Sequence, residues 1–573
     1  MVSSKLKMLV ALSPASLSLL LRPRPPPSSV RMRAAAEVWR GQLAPAVECL
    51  EPRECRVTQG QIPSALRGTL FRIGAGESAP YAHWFDGDGW VCSVALSGPN
   101  APPVFRARYV DTDRRRAQRE WTGTGRATRG AWTQRADGSV AANAARLPTN
   151  PSNTNLLLRD GKLLALCEGG PPAVLDPVTL ATLKSSDAYG VASYFAAHPR
   201  VDPADGTLIG CGLSLGATSL ESVLASFQAG LSPSSLLPSF PAPLNFFEWR
   251  RGAPRLERQR AHTLPFFTFV HDLALTPKRA LVVLPPFVIP DVGAYASAIL
   301  GQRAVGMCFE WRPELGTRVM VIERRTLELE ALIRLPDPAP TCYHVINAFE
   351  EEADESEGGG DLQICSGGDV LTLQICEQAN GDRAMLEAQY MDIAQAAFVA
   401  ELQCKAVEYR LRLPPRPSPP STSSDGAGEP AVASCIERVE LAAGARPFEL
   451  PDLHPSYVGR RARYAYTWCL ADDESSFADA LQRIELAEGG ETSAAVTFGA
   501  GRRARPSSSR QAKARTRATS SRLCTTEHAT RRTSSSSTRP TSVETPSRRS
   551  RWDSTCRRCS MGYGRTMWAK TLK

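Results

Sequence analysis

The chain has 573 residues, 42% hydrophobic and 22% charged, a composition close to globular averages that excludes a wholly disordered, fibrous or staple-dependent chain. Its net charge of +10 is uneven: residues 501–573 carry 19 Lys and Arg against Glu527, Glu544 and Asp553, which leaves the first 500 residues at −6. The basic balance belongs to a tail, so no nucleic-acid partner is expected of the body of the protein.

Residues 1–36 hold six basic residues and no acid, several serines and the run Arg22-Pro-Arg-Pro-Pro-Pro27, and the first acid is Glu37. That composition is transit-peptide-like and points to a plastid, with the cytoplasm as the alternative. The apolar run Met8–Leu21 behind Lys5 and Lys7 also fits a signal-peptide core, and its 14 residues are too few to span a bilayer. Residues 1–40 are therefore read as a targeting or disordered segment. From 50 to 500, short β-rich runs alternate with Gly, Pro, Asn and Asp. They include Gly68–Gly74, Trp90–Leu96, Leu156–Leu158, Lys162–Leu166, Ala280–Leu284 and Arg318–Ile322. Many short strands in one domain of this size favour a β-propeller, because radial repetition adds sheets without one oversized core. Two interruptions stand out: the apolar stretch Leu220–Phe247, and a Pro/Ser/Gly-rich segment over 414–430 that reads as a disordered insert.

Fifteen cysteines lie at irregular spacings, which argues for reduced, buried thiols and against a secreted disulfide framework. Cys556-Arg-Arg-Cys559 stands alone in the tail, with no second pair to complete a zinc site. Only seven histidines occur, and three share a context. His198 ends Tyr194-Phe-Ala-Ala197, His271 follows Phe266-Phe-Thr-Phe-Val270, and His344 precedes Val345-Ile346. One such histidine reads as a hydrogen-bonded core residue. Three, with no competing Cys or carboxylate motif, point to a neutral imidazole cluster able to hold iron, copper, nickel or zinc.

Around these residues the sequence resembles the carotenoid cleavage oxygenase family, which includes cleavage dioxygenases and the vertebrate retinoid isomerase. The matching stretches are Leu66–Gly74, His83-Trp-Phe-Asp-Gly-Asp-Gly-Trp90, Asn153-Thr-Asn155, Leu164–Gly170, Ala197-His-Pro-Arg-Val-Asp-Pro203, Val270–Thr276, Tyr343–Glu351, Glu449-Leu-Pro and Tyr457–Tyr464, in family order. The resemblance implies an all-β, seven-bladed β-propeller with a helical and loop cap, whose axis holds non-haem Fe(2+) on four histidines. His198, His271 and His344 match three of the ligands, and Glu168 and Glu449 match carboxylates that orient them. It further implies an oxidoreductase, a dioxygenase that inserts O2 across one double bond of a carotenoid or apocarotenoid to give two carbonyl products. No nucleophile or other catalytic side chain beyond the metal centre is expected. The chain is expected to be a monomer that draws its insoluble substrate from a membrane surface, with Leu220–Phe247 and Ala294–Leu300 as docking elements.

After about residue 500 the family pattern fails. The tail lacks the acidic strand and the closing Phe-His-Gly-Leu-Trp that would deliver the fourth ligand, and His528 lies in no apolar strand. It is Ser/Thr/Arg-rich and reads as disordered, leaving the last blade incomplete. A catalytically inactive propeller that binds a carotenoid or a protein partner is therefore the alternative function. The genetic code offers an explanation. Met561-Gly562 read one base back gives a codon ending in AT followed by GGG, which is His-Gly if the Ser560 codon ends in C. Cys559-Ser560 then permits Leu-Phe before it and Tyr563-Gly564 permits Val-Trp after it. The same shift over Lys513–Thr519 permits Gly-Glu-Asp-Glu-Gly-Tyr. The tail thus reads as family sequence out of frame from a break near 500–505.

Overall fold

The computed structural model describes residues 45–58, 60–77, 86–122, 150–214, 241–300, 305–351, 369–378, 404–414, 433–469, 480–492, 496–497 and 567–569. The expectations for residues 1–40, for nearly all of 414–430 and for the tail apart from 567–569 lie outside the described residues, as does His83.

The short β-rich runs become strands of antiparallel sheets. Five sheets are meanders that begin with Asn155–Arg159, Arg200–Val201, Ala274–Leu275, Val345–Glu350 and Phe448–Asp452, and each pairs four strands in chain order. A sixth joins Cys49–Glu54, Val104–Tyr109, Asp88–Ser97, Arg67–Glu77 and, at the edge beside Arg67–Glu77, Met567–Ala569. The last pairing runs Thr69 to Ala569, Leu70 to Trp568 and Phe71 to Met567. The architecture is an all-β propeller with six blades among the described residues, where the family resemblance implies seven. Among the described residues two α-helices interrupt the strands, α1 (Asp113–Thr122) and α2 (Val292–Ile299). The hairpin Phe287–Val288 with Glu310–Trp311 brackets the second.

Blade stacking explains why several strands are apolar throughout instead of alternating. Arg279-Ala-Leu-Val-Val-Leu284 is buried at every residue because its sheet packs against a neighbour on each face. On one face Leu281 and Val283, with Val319 of the same blade, join Leu371, Leu373 and Val407 of the next blade; on the other Val282 and Leu284 join Ile209 and Phe246 of the preceding one. By contrast Leu329–Arg334, the last strand of that blade, alternates buried and exposed residues and faces solvent on one side.

Leu244–Phe247 is not a docking element, contrary to the expectation for Leu220–Phe247. Leu244–Phe247, the end of the apolar stretch assigned to membrane docking, lies in the blade strand Leu244–Trp249, paired on both edges with Leu208–Leu213 and Arg258–His262. Its β-branch-poor but aromatic sequence fits a strand sealed on both faces, and Leu244, Phe246 and Phe247 have no exposure. Residues 215–240 lie outside the described residues. Ala294–Leu300 falls in and just after α2, which turns Tyr295 and Ala298 inward and leaves Val292 66% exposed. Among the described residues no helix is long and apolar enough to cross a membrane.

Candidate metal centre

The first strands of neighbouring meanders converge, and the three singled-out histidines lie at or just before their starts. His198 precedes Arg200–Val201, His271 precedes Ala274–Leu275, and His344 adjoins Val345–Glu350. The segment leading to His198 is held by Tyr194 N to Leu213 O and Ala196 N to Cys211 O. This close approach requires glycine at 212, where a Cβ would fall 1.5 Å from the Tyr194 carbonyl oxygen.

His198, His271 and His344 are all buried, with their coordinating nitrogens within 4.8 Å of one another. His198 Nε2 lies 3.0 Å from His271 Nε2, which lies 3.3 Å from His344 Nε2. Ligand bonds near 2.1 Å put two nitrogens about 3.0 Å apart at right angles and about 3.4 Å apart at the tetrahedral angle. Lone pairs so close repel unless a proton or cation lies between them. Three nitrogen donors with no thiolate suit a borderline divalent ion such as iron(II). The buried thiols nearby do not compete, since burial pushes Cys167 up to about 12 and Cys404 well above its ordinary value.

The outer ring nitrogens meet carboxylates. Glu168, just after Lys162–Leu166, presents Oε1 to His271 Nδ1. Glu449 Oε2 accepts from His344 Nδ1 at 2.7 Å and from Leu450 N at 2.7 Å. Glu449 sits at a register break in its strand, with Leu450 at φ 56°, and this bulge turns the carboxylate toward His344. Such partners fix the tautomer that leaves Nε2 free and raise the ring's basicity. Burial alone would lower the His271 pKa, but the charge and hydrogen bond of Glu168 raise it above the ordinary value. At His344 burial prevails over Glu449 and the pKa falls, so the ring is neutral at pH 7. His198 Nδ1 faces the Asn155 amide nitrogen at 3.4 Å.

An apolar cavity adjoins the centre, bordered by Glu168 and walled by Phe195, Phe267, Phe269, Tyr295 and Phe309. Phe269 stacks on His271 with ring centroids 5.5 Å apart, and the wall thus continues onto one of the three histidines. His262 bonds the Leu327 carbonyl and His454 caps the short helix Pro455–Tyr457, both structural roles. The eleven described cysteines are free thiols. Sequence reasoning missed Asn155, Arg200 and Asp272. Their signal was a charged or amide residue set in buried strand ends beside the histidines.

The family model described as retinal pigment epithelial membrane protein, RPE65, matches residues 43–534. The match therefore runs past residue 500, where the resemblance read from motifs ends, and stops before Cys559–Trp568. Apocarotenoid-15,15'-oxygenase of Synechocystis sp. is 26% identical over 455 residues, covering 76% of this chain and 77% of that protein. Carotenoid cleavage dioxygenase 7, chloroplastic, of Oryza sativa subsp. japonica is 25% identical over 468 residues, with 73% and 72% covered. Resveratrol cleavage oxygenase 1 of Chaetomium globosum is 29% identical over 302 residues, with 51% and 44% covered. Among solved structures, a variant of the Synechocystis apocarotenoid oxygenase superposes with a TM-score of 0.57 at 23% identity, over 81% of this chain and 84% of that one. The cobalt-substituted form of the same oxygenase gives 0.55 at 22%, with the same coverage.

Proposed function

Because this chain belongs to the RPE65/carotenoid cleavage oxygenase family, whose members matched here are oxygenases, we propose that it cleaves a conjugated double bond of a carotenoid or apocarotenoid with O2. The observation that carries this reading is the triangle of His198, His271 and His344 at the end of an apolar cavity. Those three residues would hold iron(II), and Glu168 and Glu449 would orient His271 and His344. Iron would supply the activation of O2, with both oxygen atoms ending in the two carbonyl products, so no external reductant is needed. The chain's own part is to seat a long apolar chain between Phe195, Phe267 and Phe309 and to keep water from the centre. The coverage of the relatives favours a carotenoid over a phenylpropanoid. The carotenoid enzymes named above span about three quarters of this chain, whereas the resveratrol enzyme spans half.

The N-terminal segment delivers the protein to a plastid, in line with the chloroplastic carotenoid cleavage dioxygenases 7 and 8 of rice. The protein acts as a monomer at a membrane surface, where its substrate dissolves; the exposed Val292 on α2, next to the cavity-lining Tyr295 and Ala298, supports that side as the contact. His528 is the one histidine after His454, and the residues from about 500 encode the family's last blade one base out of frame. This supports the second reading, a propeller that binds a carotenoid or a protein partner with little or no cleavage. Anaerobic loading with iron(II), then addition of 18O2 and a carotenoid or apocarotenal, separates the two. Carbonyl products carrying the label support cleavage; bound iron with unchanged substrate supports the inactive propeller; no uptake of iron refutes the metal centre. Sequencing genomic DNA and transcript across 500–505 tests the frame, and a second frame without His-Gly at Ser560-Met561 refutes it.

A further inference from the structure

The three histidines are followed by residues that meet one another. Arg200 stands two residues after His198, Asp272 directly after His271, and Val345 directly after His344. Arg200 Nη2 lies 3.0 Å from both carboxylate oxygens of Asp272 and donates to Val345 O at 2.8 Å, while its Nε donates to Leu273 O at 2.7 Å. Asp272 in turn accepts from Val345 N at 2.9 Å and from Leu273 N at 2.8 Å. Both backbone polar groups of Val345 are therefore held by this one ion pair. A parallel backbone bridge between His198 and Asp272 completes the link. All three blades that contribute a histidine are joined at a point one or two residues from the ring.

The pair is sealed: Arg200 is 9% exposed, Asp272 4% and Val345 1%. Other ion pairs between strands differ in setting. Arg279 is as buried, but its partners Glu330, Glu350 and Asp369 reach toward solvent, with the Asp369 side chain 51% exposed, and none adjoins a histidine of the cluster. Two buried charges are a weak source of stability compared with apolar residues of the same size, so their value lies elsewhere. A planar guanidinium with Nη2 on the Asp272 carboxylate and the Val345 carbonyl, and Nε on the Leu273 carbonyl, fixes orientation better than apolar packing does.

Building on the metal reading above, we infer that Arg200 and Asp272 are positioning residues that set the spacing of the His198, His271 and His344 backbones and so hold the nitrogen triangle ready for a divalent metal. They touch neither metal nor substrate. They act by removing the freedom of three chain segments before the metal arrives, which raises its affinity and defines its geometry.

The test is a titration of the full chain with Co(II), followed by its visible d–d absorption and by thermal unfolding of the metal-free protein. Asp272→Asn is expected to weaken Co(II) binding tenfold or more and to alter the band positions or intensity. Arg200→Lys, which keeps the charge but loses the fork, should fall between it and the unaltered chain. Arg279→Gln is the control: it should lower the unfolding temperature while leaving Co(II) affinity and spectrum unchanged. Should Asp272→Asn not fold, the double variant Arg200→Met with Asp272→Leu removes both charges together and leaves neither unpaired. It is expected to fold and still bind Co(II) at least tenfold more weakly. A folded Asp272→Asn or double variant with unaltered affinity and spectrum overturns the inference. An unaltered chain that takes up no Co(II) overturns the metal reading, and the positioning role with it.

Discussion

Glu449 makes the contribution of the carboxylates measurable, because its two oxygens have separable duties. Oε2 accepts from His344 Nδ1 and from Leu450 N, both at 2.7 Å, and Oε1 lies 3.6 Å from the Cys404 thiol. In Glu449→Gln the amide oxygen can occupy the Oε2 position and keep both bonds, with the NH2 facing the sulfur, so only the negative charge is lost. In Glu449→Ala the His344 N–H and the Leu450 N–H, the latter in a residue already at φ 56°, both lose their acceptor. Partners of metal-bound imidazoles are worth about 10- to 100-fold in affinity, or about 1.4 to 2.7 kcal/mol. The Gln variant should sit near the tenfold end and the Ala variant near the hundredfold end. The assay is the stabilisation conferred by metal. At a concentration of 100 Kd for the unaltered chain, about 2.7 kcal/mol is gained; a tenfold weaker site gains about 1.4 and a hundredfold weaker one about 0.4 kcal/mol. A Glu449→Ala protein that gains as much from the metal as the unaltered chain would refute the assignment of Glu449 to His344.

Three further perturbations probe the surroundings. Asp86 is buried beside Arg114, and burial raises its pKa to about 7 against the pull of that arginine. The folded state therefore keeps the proton that the unfolded chain gives up near pH 4, and stability falls as pH rises from about 4 to about 7, by up to roughly 4 kcal/mol. Asp86→Asn should flatten the unfolding temperature across that window; an unchanged slope excludes Asp86 as its source. Gly212→Ala places a methyl 1.5 Å from the Tyr194 carbonyl and should cost more than about 3 kcal/mol by denaturant unfolding, with soluble, fully stable protein contradicting the close approach. Ala298→Trp fills the cavity from α2 and should abolish binding of a long apolar ligand, followed by quenching of protein fluorescence, while Co(II) uptake stays as before. Loss of both would place Ala298 in the support of the metal centre instead.

The histidine cluster is legible in the amino-acid sequence because the chain has few histidines and three of them break apolar runs, where a polar ring must have a purpose. Glu168 and Glu449 carry no comparable signal. Glu168 follows a strand and precedes two glycines, a place where a carboxylate ordinarily meets water, and only the family resemblance singles it out. Arg200 and Asp272 could have been found by a simple accounting: charges one or two residues from buried histidines are themselves buried and need each other. The assignment of Leu244–Phe247 to a membrane-facing stretch failed for a general reason. A strand covered on both faces and a membrane-facing segment are both continuously apolar, and neither has the alternation that would tell them apart. Blade number was also beyond reach, since sheets that share no repeat in sequence are countable only by their pairing.

The sixth sheet gathers strands from opposite ends of the chain, with Met567–Ala569 lying along Arg67–Glu77. During synthesis that edge has no neighbour until residues 567–569 leave the ribosome. The roughly 490 residues between the two strands take on the order of half a minute to a minute and a half to make. Through that interval a row of backbone donors and acceptors is open to any passing strand, including the same strand of another nascent copy. Completion of this sheet is thus a late event in synthesis. Whatever alters Met567–Ala569 is therefore felt at Thr69–Phe71, near the other end of the chain.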